Sequence, residues 1–308
     1  MKRRSFLTST LAARAALAQS PAPPSSDVVI ERAATGQPHA GKVLALIEPH
    51  LDDGPIFAGG TIAKLLHEGY TGYLIRTSND EKDSLDLTLG ETVLANERDS
   101  RAFIKTMGLQ QVFDLSYRNH RMDDVSRNDI RQRLIFLFRL LKIDTVFTYD
   151  PWGHYEENPD HYVTAQAVEA ACWMAGGRLD YPEHFAAGLK PHSPREKYYF
   201  ARGPQLVNRV VDISTTIDKK MACIHSNQTM IKHMVGDLKA ELAERNLKLP
   251  ILDADDATAI RSYADLAFRN RDARVGQRHR LQYAEAFHHI GPSTGLDNYI
   301  AQHAVPLR

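Results

Sequence analysis

The feature that most constrains the fold is a strand that runs directly into a polar turn and then into a helix, within residues 42–69. Residues 42–47 are mainly apolar, which predicts a buried parallel strand, and residues 59–67 predict a helix or its beginning. The turn between them carries an imidazole and two carboxylates, on His50, Asp52 and Asp53. Sites in open α/β sheets form at the carboxyl ends of strands. We therefore expect a functional edge here, in a turn too polar to belong to the core.

One imidazole and two carboxylates within four residues suit a divalent metal such as zinc. The same residues also have an ordinary structural interpretation. Asp-Asp-Gly is common turn chemistry, and a carboxylate in front of a helix is a common N-cap. On this segment alone both interpretations stay open.

A second strand, predicted at residues 145–149, also ends in a polar loop, and a helix follows from about residues 159–161. The polar side chains of this loop are His154, Asn158, Asp160 and His161. Neighbouring parallel strands deliver their loops to the same edge, so His161 could meet His50 and Asp53 there. A His, Asp, His set leaves coordination positions open for water and substrate, as a catalytic zinc site requires.

At these residues the chain resembles the LmbE-like, PIG-L family of zinc-dependent N-deacetylases, whose motifs read H-P-D-D-E and, later, H-P-D-H. The resemblance covers roughly residues 42–290. Its supporting pieces are Gly59-Gly60-Thr61, VVDISTTIDKKMACIHSNQ and YAEAFHH. The resemblance implies that His50, Asp53 and His161 bind Zn²⁺, or another divalent metal, and that Asp52 is the general base.

The chain departs from these motifs at three positions. Leu51 replaces Pro, which is tolerable because an apolar residue can still fill a turn. Gly54 replaces Glu and removes a carboxylate that would help to orient the metal ligands. Asn158 replaces the first His of the second motif; its amide can donate a hydrogen bond to an oxyanion but cannot act as a cation or general acid. His154, four residues earlier, is the alternative for that role.

The N-terminus resembles a twin-arginine export signal, with Arg3 and Arg4 followed by a weakly apolar stretch and a small-residue cleavage site. We interpret residues 1–18 as the signal peptide, 19–40 as a linker or N-terminal extension, and 41–308 as an LmbE-like deacetylase domain. An amphipathic N-terminal helix is the alternative. The export signal predicts a periplasmic or extracellular protein.

The charges balance, with 38 Lys and Arg against 38 Asp and Glu, so composition gives no reason to invoke nucleic acid or an anionic membrane. No sustained apolar run predicts an integral membrane segment in the mature chain. Cys172 and Cys223 are too few for a disulfide framework or a thiolate metal site. We expect each to be a small buried residue, although export would permit a disulfide if they met.

Strand and helix patterns alternate along the chain, which predicts an α/β, Rossmann-like fold: a mostly parallel sheet with helices on both faces and C-terminal additions. Further strands are predicted at residues 70–76, 111–115, 198–201 and 209–213, and further helices at 89–107, 127–141, 217–225 and 230–245. The G-x-G-x-x-G spacing of dinucleotide-binding folds is absent from the sequence. Residues 261–280 are rich in arginine, but aspartates interleave, so a solvated helix face is favoured over an anion site.

Two further loops should open at the same sheet edge, residues 77–86 and 119–124. Each is a candidate for substrate contact, with a solvated turn as the alternative. In the second loop His120, Arg121 and Asp123 could touch substrate hydroxyls.

The leading hypothesis is an exported metal-dependent hydrolase that removes an acyl group, expected to be acetyl, from the amide nitrogen of an N-acetylated amino sugar such as N-acetylglucosamine, or of a glycoconjugate. Zinc would lower the pKa of water at the site and Asp52 would take its proton. Asn158 or His154 would help to stabilise the oxyanion. One alternative is a metal-dependent phosphoesterase, although many of these use two metals. The other is a non-catalytic carbohydrate-binding protein with a weakened site. The expected partner is a small-molecule or glycoconjugate substrate, and the oligomeric state stays open.

Overall fold

The computed structural model describes residues 28–293 and 295–306. The predicted signal peptide, 1–18, and the first part of the predicted linker, 19–27, lie outside the described residues. The strands are β1 (Val29–Glu31), β2 (Val43–Glu48), β3 (Thr71–Ser78), β4 (Val112–Tyr117), β5 (Thr145–Tyr149), β6 (Glu196–Phe200), β7 (Arg209–Asp212) and β8 (Ala284–Ile290). The α-helices are α1 (Asp53–His67), α2 (Leu89–Met107), α3 (Arg127–Leu141), α4 (Pro159–Met174), α5 (Glu183–Ala186), α6 (Ile217–Ser226), α7 (Gln228–Glu244), α8 (Asp256–Ala264), α9 (Asn270–Arg278) and α10 (Asp297–His303). Within the described part of the chain, no helix is both long and apolar enough to cross a membrane.

The strands form one sheet in the order β1-β7-β8-β6-β5-β2-β3-β4. β8 runs antiparallel to its neighbours β6 and β7, and the other neighbouring strands are parallel. From β2 the chain builds outward through β3 and β4, and then returns to place β5 on the other side of β2. The boundary between β2 and β5 is therefore a topological switch point, where open α/β sheets form their sites.

Alternate residues of β2 belong to two separate cores, because successive side chains of a strand point to opposite faces. Leu44 and Leu46 pack in a core with α1, α2 and α6, whereas Ala45 and Ile47 pack in another with α3 and α4. A parallel strand covered by helices on both faces needs this continuous apolar run. The predicted α/β, mostly parallel fold is confirmed. The two cysteines are buried in different cores, one on each face of the sheet.

Helices α2 and α3 and strand β5 have the bounds that the sequence predicts. Helix α1 begins at Asp53, six residues earlier than predicted, because its first turn accepts Pro55, whose missing N–H is not needed there. β1 and β8 were not predicted as strands. β1 is a three-residue edge strand within the range expected to be a linker. The sequence of β8 contains a Glu and two His, so it lacks the apolar pattern of a buried strand. Only its pairing with β6 and β7 identifies it as a strand.

A buried ion network fastens the C-terminal additions to the sheet and to α1. Nζ of Lys220 lies 2.7 Å from Oε1 of Glu285 on β8 and 2.5 Å from Oδ2 of Asp272 on α9. Oε2 of Glu285 also accepts hydrogen bonds from the backbone N–H and hydroxyl of Thr61. Asp272 is 1% exposed, so the expectation of a solvated face over residues 261–280 is wrong at this position. The reason is that Lys220, from a distant helix, supplies the opposite charge.

We expect Lys220→Ala to lower the free energy of unfolding by about 3–5 kcal/mol, because it leaves buried Glu285 and Asp272 without their cation. Urea denaturation measures the loss. Lys232→Ala is the matched control, since this lysine pairs with two exposed aspartates and should contribute at most about 1 kcal/mol. Equal effects of the two substitutions would contradict a stabilising role for the buried network.

Candidate metal centre and active-site cleft

Three predicted ligands converge where the loops after β2 and β5 meet. Nδ1 of His50 lies 3.0 Å from Nε2 of His161 and 3.4 Å from Oδ2 of Asp53. Nε2 of His161 lies 3.6 Å from Oδ1 of Asp53. All three side chains are buried. The structure thus brings together two ring nitrogens and a carboxylate from segments more than a hundred residues apart.

A carboxylate lies behind each of the two imidazoles. Nε2 of His50 lies 3.2 Å from Oδ2 of Asp160, and Nδ1 of His161 lies 3.0 Å from Oε1 of Glu156. With an N–H on each of those outer nitrogens, the lone pairs of the inner nitrogens face one another and Asp53. Such a donor set, oriented by carboxylates, fits a divalent cation with open coordination positions.

Asp53 is held in its ionised form. The hydroxyl of Tyr149, at the end of β5, donates to Oδ1 of Asp53 at 2.5 Å. Burial alone would raise the pKa of Asp53, but the charge of His161 and the hydrogen bonds from His50 and Tyr149 lower it to about 2. An ionised carboxylate is what a metal centre requires of this residue.

Asp160 and Glu156 were not assigned roles from the sequence. Oδ2 of Asp160 also accepts the backbone N–H of His120 at 2.7 Å. Glu156 pairs with Arg202, which follows β6, at 2.5 Å. Asp160 occupies the Asp position of the H-P-D-H motif, so the sequence did contain a signal that this residue belongs to the site. Nothing in the local sequence marks Glu156, because its role depends on which side chains the fold places beside it.

Asp52 occupies the N-cap position of α1, yet among the described residues its side chain makes no capping hydrogen bond. By contrast, the side chain of Thr88, the N-cap residue of α2, accepts a hydrogen bond from the backbone N–H of Glu91. The carboxylate of Asp52 instead lines a cleft above the three converging side chains. Burial, and then the charge of Asp53, raise the pKa of Asp52 well above its ordinary value. The expectation that this turn lies outside the core is wrong, since Asp52 is 8% exposed and Asp53 3%.

A glutamate does stand beside Gly54, but it comes from β2. Oε2 of Glu48 accepts the backbone N–H of Gly54 at 2.5 Å. A Cβ at position 54 would lie 2.6 Å from that oxygen and would clash with Leu46. Burial, and then the charge of Asp53, raise the pKa of Glu48 well above its ordinary value. The carboxyl group that position 54 lacks is therefore supplied by Glu48, and glycine is what leaves room for it.

Of the remaining predicted site residues, two line the cleft and the others lie outside its lining within the described structure. Asn158 is the N-cap of α4, where its Oδ1 accepts the backbone N–H of Asp160 at 3.0 Å, and it also lines the cleft. His120 lines the cleft from the loop after β4. His154 is exposed and lies outside the cleft lining within the described structure. Arg121 is likewise exposed and pairs with a neighbouring aspartate on the same loop.

The cleft has a volume of about 290 Å³ and one largely apolar wall. The members of this wall come from α1 and from the C-terminal helical segments, and they are Ile56, Phe57, Met230, Met234, Tyr263 and Phe268. Arg271 also lines the cleft, with its guanidinium 4.6 Å above the ring of Phe57. The expectation of a solvated arginine is therefore wrong for Arg271, because Phe57 provides an aromatic face for it.

His50, Asp80 and Asp83 form a second group of adjacent ligand types. Asp80, however, already accepts from Arg76 at 3.0 Å, and both ring nitrogens of His50 face other partners. Within the described residues, the arrangement therefore favours one metal rather than two.

Comparison with known proteins shows relatives that act on N-acetylated sugars. Residues 45–172 match the family described as "PIG-L: GlcNAc-PI de-N-acetylase". The diacetylchitobiose deacetylase of Thermococcus kodakarensis is 27% identical over 208 residues, which are 64% of this chain and 73% of that protein. The 1D-myo-inositol 2-acetamido-2-deoxy-alpha-D-glucopyranoside deacetylase of Mycobacterium leprae is 27% identical over 169 residues, 44% of this chain and 54% of that protein.

Among solved structures, the N,N'-diacetylchitobiose deacetylase of Pyrococcus horikoshii superposes with a TM-score of 0.66 at 22% identity, covering 86% of this chain and 87% of that chain. The 4-carboxy-2-hydroxymuconate hydratase GalB of Pseudomonas putida superposes with a TM-score of 0.59 at 18% identity, covering 82% and 98%. At such identities these structures show the fold, and a hydratase and a deacetylase share it.

We expect Gly54→Ala to destabilise the protein by about 1–3 kcal/mol, because the added methyl group meets Leu46 and Glu48 in a closely packed interior. Gly90→Ala in α2 is the matched control, since a Cβ there meets nothing within 4 Å. It should cost no stability and could add up to about 1 kcal/mol. Thermal and urea denaturation of both variants measure the difference; a harmless Gly54→Ala would contradict the close approach of Glu48.

Proposed function

Because the chain carries a PIG-L (LmbE-like) family domain, we propose that it is a metal-dependent hydrolase that removes an acetyl group from the amide nitrogen of an N-acetylated amino sugar or glycoconjugate. The observation that carries the proposal is the convergence of His50, Asp53 and His161 beneath a cleft that Asp52 also lines. The expected metal is Zn²⁺, since imidazole nitrogen and carboxylate oxygen ligands suit it.

A divalent cation at this centre, when bound, supplies Lewis acidity and lowers the pKa of water to near neutrality. Asp52 is the base, because it faces the cleft and is not used as a helix cap. It takes a proton as the water oxygen bonds to the amide carbon and the carbonyl electron pair moves onto oxygen. When the carbon–nitrogen bond breaks, the nitrogen takes that proton from Asp52 and the electron pair on oxygen re-forms the carbonyl, leaving an amine and acetic acid, which then ionises to acetate.

The surrounding residues keep this geometry fixed. Asp160 and Glu156 orient the imidazoles of His50 and His161, and Tyr149 holds Asp53. Groups that are already oriented do not have to reorganise during the reaction, which is a main source of enzymatic rate acceleration. The apolar wall of the cleft offers a surface for the faces of a sugar ring and for the acetyl methyl group.

Two alternatives are less well supported by the geometry. A phosphoesterase of the two-metal type would need a second centre, and Asp80 is already committed to Arg76. A carbohydrate-binding protein with a weakened site would not need an oriented donor set with a carboxylate beside it. The likeness to a hydratase shows that the fold alone does not choose the reaction, which depends on the side chains at the cleft.

We also propose that the protein is exported through a twin-arginine route to the periplasm or beyond. The support is the sequence of the leader, with Arg3 and Arg4 ahead of its apolar stretch.

Changing Asp52 to Asn should leave metal binding intact and lower acetate release on the order of 10²–10⁴-fold, because only the base is lost. His50→Ala should lose both metal and turnover. The measurements are metal content per chain and acetate release from N-acetylglucosamine, N,N'-diacetylchitobiose and larger glycoconjugates, with a phosphate ester as comparison substrate. Asp253→Asn, at an exposed residue outside the cleft lining, is the control and should turn over like wild type. If Asp52→Asn loses its metal while Asp53→Asn keeps it, the two roles must be exchanged.

Replacing Arg3 and Arg4 together by Lys should retain the precursor in the cytoplasm, because the paired arginines are the part of the signal that the export machinery reads. Cell fractionation and the mass of the chain measure this. Arg14→Lys, within the same predicted leader, should export normally. Normal export of the double variant would rule out the proposed route.

A further inference from the structure

His120 lines the cleft but is neither one of the three proposed metal ligands nor the proposed base. We propose that His120 is a catalytic residue, whose imidazole N–H donates a hydrogen bond to the oxyanion that forms when water adds to the substrate amide. The inference rests on the proposed function and identifies a further residue of the same site.

The backbone of His120 is fixed by the group that orients the metal centre. Its N–H donates to Oδ2 of Asp160 at 2.7 Å, and the same oxygen lies 3.2 Å from Nε2 of His50. The imidazole of His120 approaches that of His50 edge-on, with ring centroids 6.0 Å apart and planes at 83°. One carboxylate oxygen therefore sets the position of a metal-centre imidazole and of the loop that carries His120.

The residues on both sides of His120 are tied down as well. Asn119 is fully buried, and its backbone N–H donates to the side-chain oxygen of Asn79 at 3.2 Å. The backbone N–H of Met122 donates to Oδ1 of Asp160 at 3.2 Å. His120 itself has φ of +57°, in the left-handed region where seven other non-glycine residues of the described chain also lie. The hydrogen bonds on either side of His120 hold its backbone in this conformation.

The imidazole ring of His120 has an N–H group that is available as a hydrogen-bond donor. It makes no hydrogen bond to any residue that the structure describes. A neutral imidazole keeps one N–H in either tautomer, and an imidazolium has two, so it can donate in either protonation state. A donor held in place before the charge forms is what oxyanion stabilisation requires.

The other polar groups near the cleft are placed differently. Oδ1 of Asn158 caps α4, which leaves its NH₂ group as the competing donor, and His154 lies outside the cleft lining within the described residues. The guanidinium of Arg202 is paired with Glu156. The imidazole that the H-P-D-H motif would place at position 158 is thus supplied in this chain by the loop after β4.

The test compares His120→Gly with wild type and with His154→Ala. Glycine removes the ring and also accepts the left-handed backbone, so the loop should keep its shape. We expect kcat for acetate release to fall on the order of 10²–10³-fold while KM changes little, because the hydrogen bond strengthens only as charge builds on the oxygen. Metal content should be unchanged, and His154→Ala should behave like wild type. His120→Asn, which also tolerates this backbone and keeps an N–H donor, should retain more activity than His120→Gly.

A binding measurement separates this inference from the proposed function. An N-methylphosphonyl amino sugar carries a tetrahedral, anionic phosphorus in place of the planar acetyl group. His120→Gly should weaken binding of this probe far more than binding of N-acetylglucosamine. If the wild-type protein binds the probe but releases no acetate from any substrate tested, the proposed deacetylase activity is wrong. The affinity of His120→Gly for the probe then still decides whether His120 contacts the anionic oxygen.

Three outcomes overturn the inference. The first is unchanged turnover and unchanged probe affinity in His120→Gly. The second is the full loss appearing in Asn158→Ala instead, which would give the role to Asn158. The third is wild-type protein that neither turns over the substrates nor binds the probe.

Discussion

The carboxylate of Asp160 is the interaction on which the site depends. It is fully buried, and it accepts from the imidazole of His50 and from the backbone N–H groups of His120 and Met122. The residue's own N–H is capped by Asn158. Three loops, which follow β2, β4 and β5, therefore meet at a single side chain. A buried carboxylate that is hydrogen-bonded on both oxygens is costly to disturb, so it fixes the relative positions of the groups it holds.

The centre concentrates negative charge, and this favours a cation. Burial and neighbouring carboxylates raise the pKa values of Glu48, Asp52 and Asp83, the last to about 7. A divalent ion among these groups would oppose their repulsion, and binding such an ion would also stabilise the fold that assembles its ligands. Glu48 contributes to this arrangement through Gly54, because a side chain at position 54 would occupy the same space.

The C-terminal segments complete the cleft rather than merely extending the chain. The network of Lys220, Glu285 and Asp272 anchors β8 and α9 to the helices of the sheet. The residue next to Asp272 is Arg271, which reaches over Phe57 into the cleft. A structural ion network and a wall of the cleft are thus adjacent on the same helix.

The sequence by itself determined the fold class, the bounds of α2, α3 and β5, and the two loops that carry His50 and His161, because apolar periodicity and turn chemistry are local properties. It also indicated Asp52 as distinct from the ligands, through its resemblance to the PIG-L family. Only the tertiary structure decided that Glu48 stands beside Gly54, that Arg271 and Asp272 turn inward, and that β8 pairs antiparallel with β6 and β7. It likewise decided that His120 enters the cleft while His154 stays outside. These outcomes depend on which loops and strands meet across the sheet, and contacts between residues far apart in the chain leave no periodic trace in the sequence.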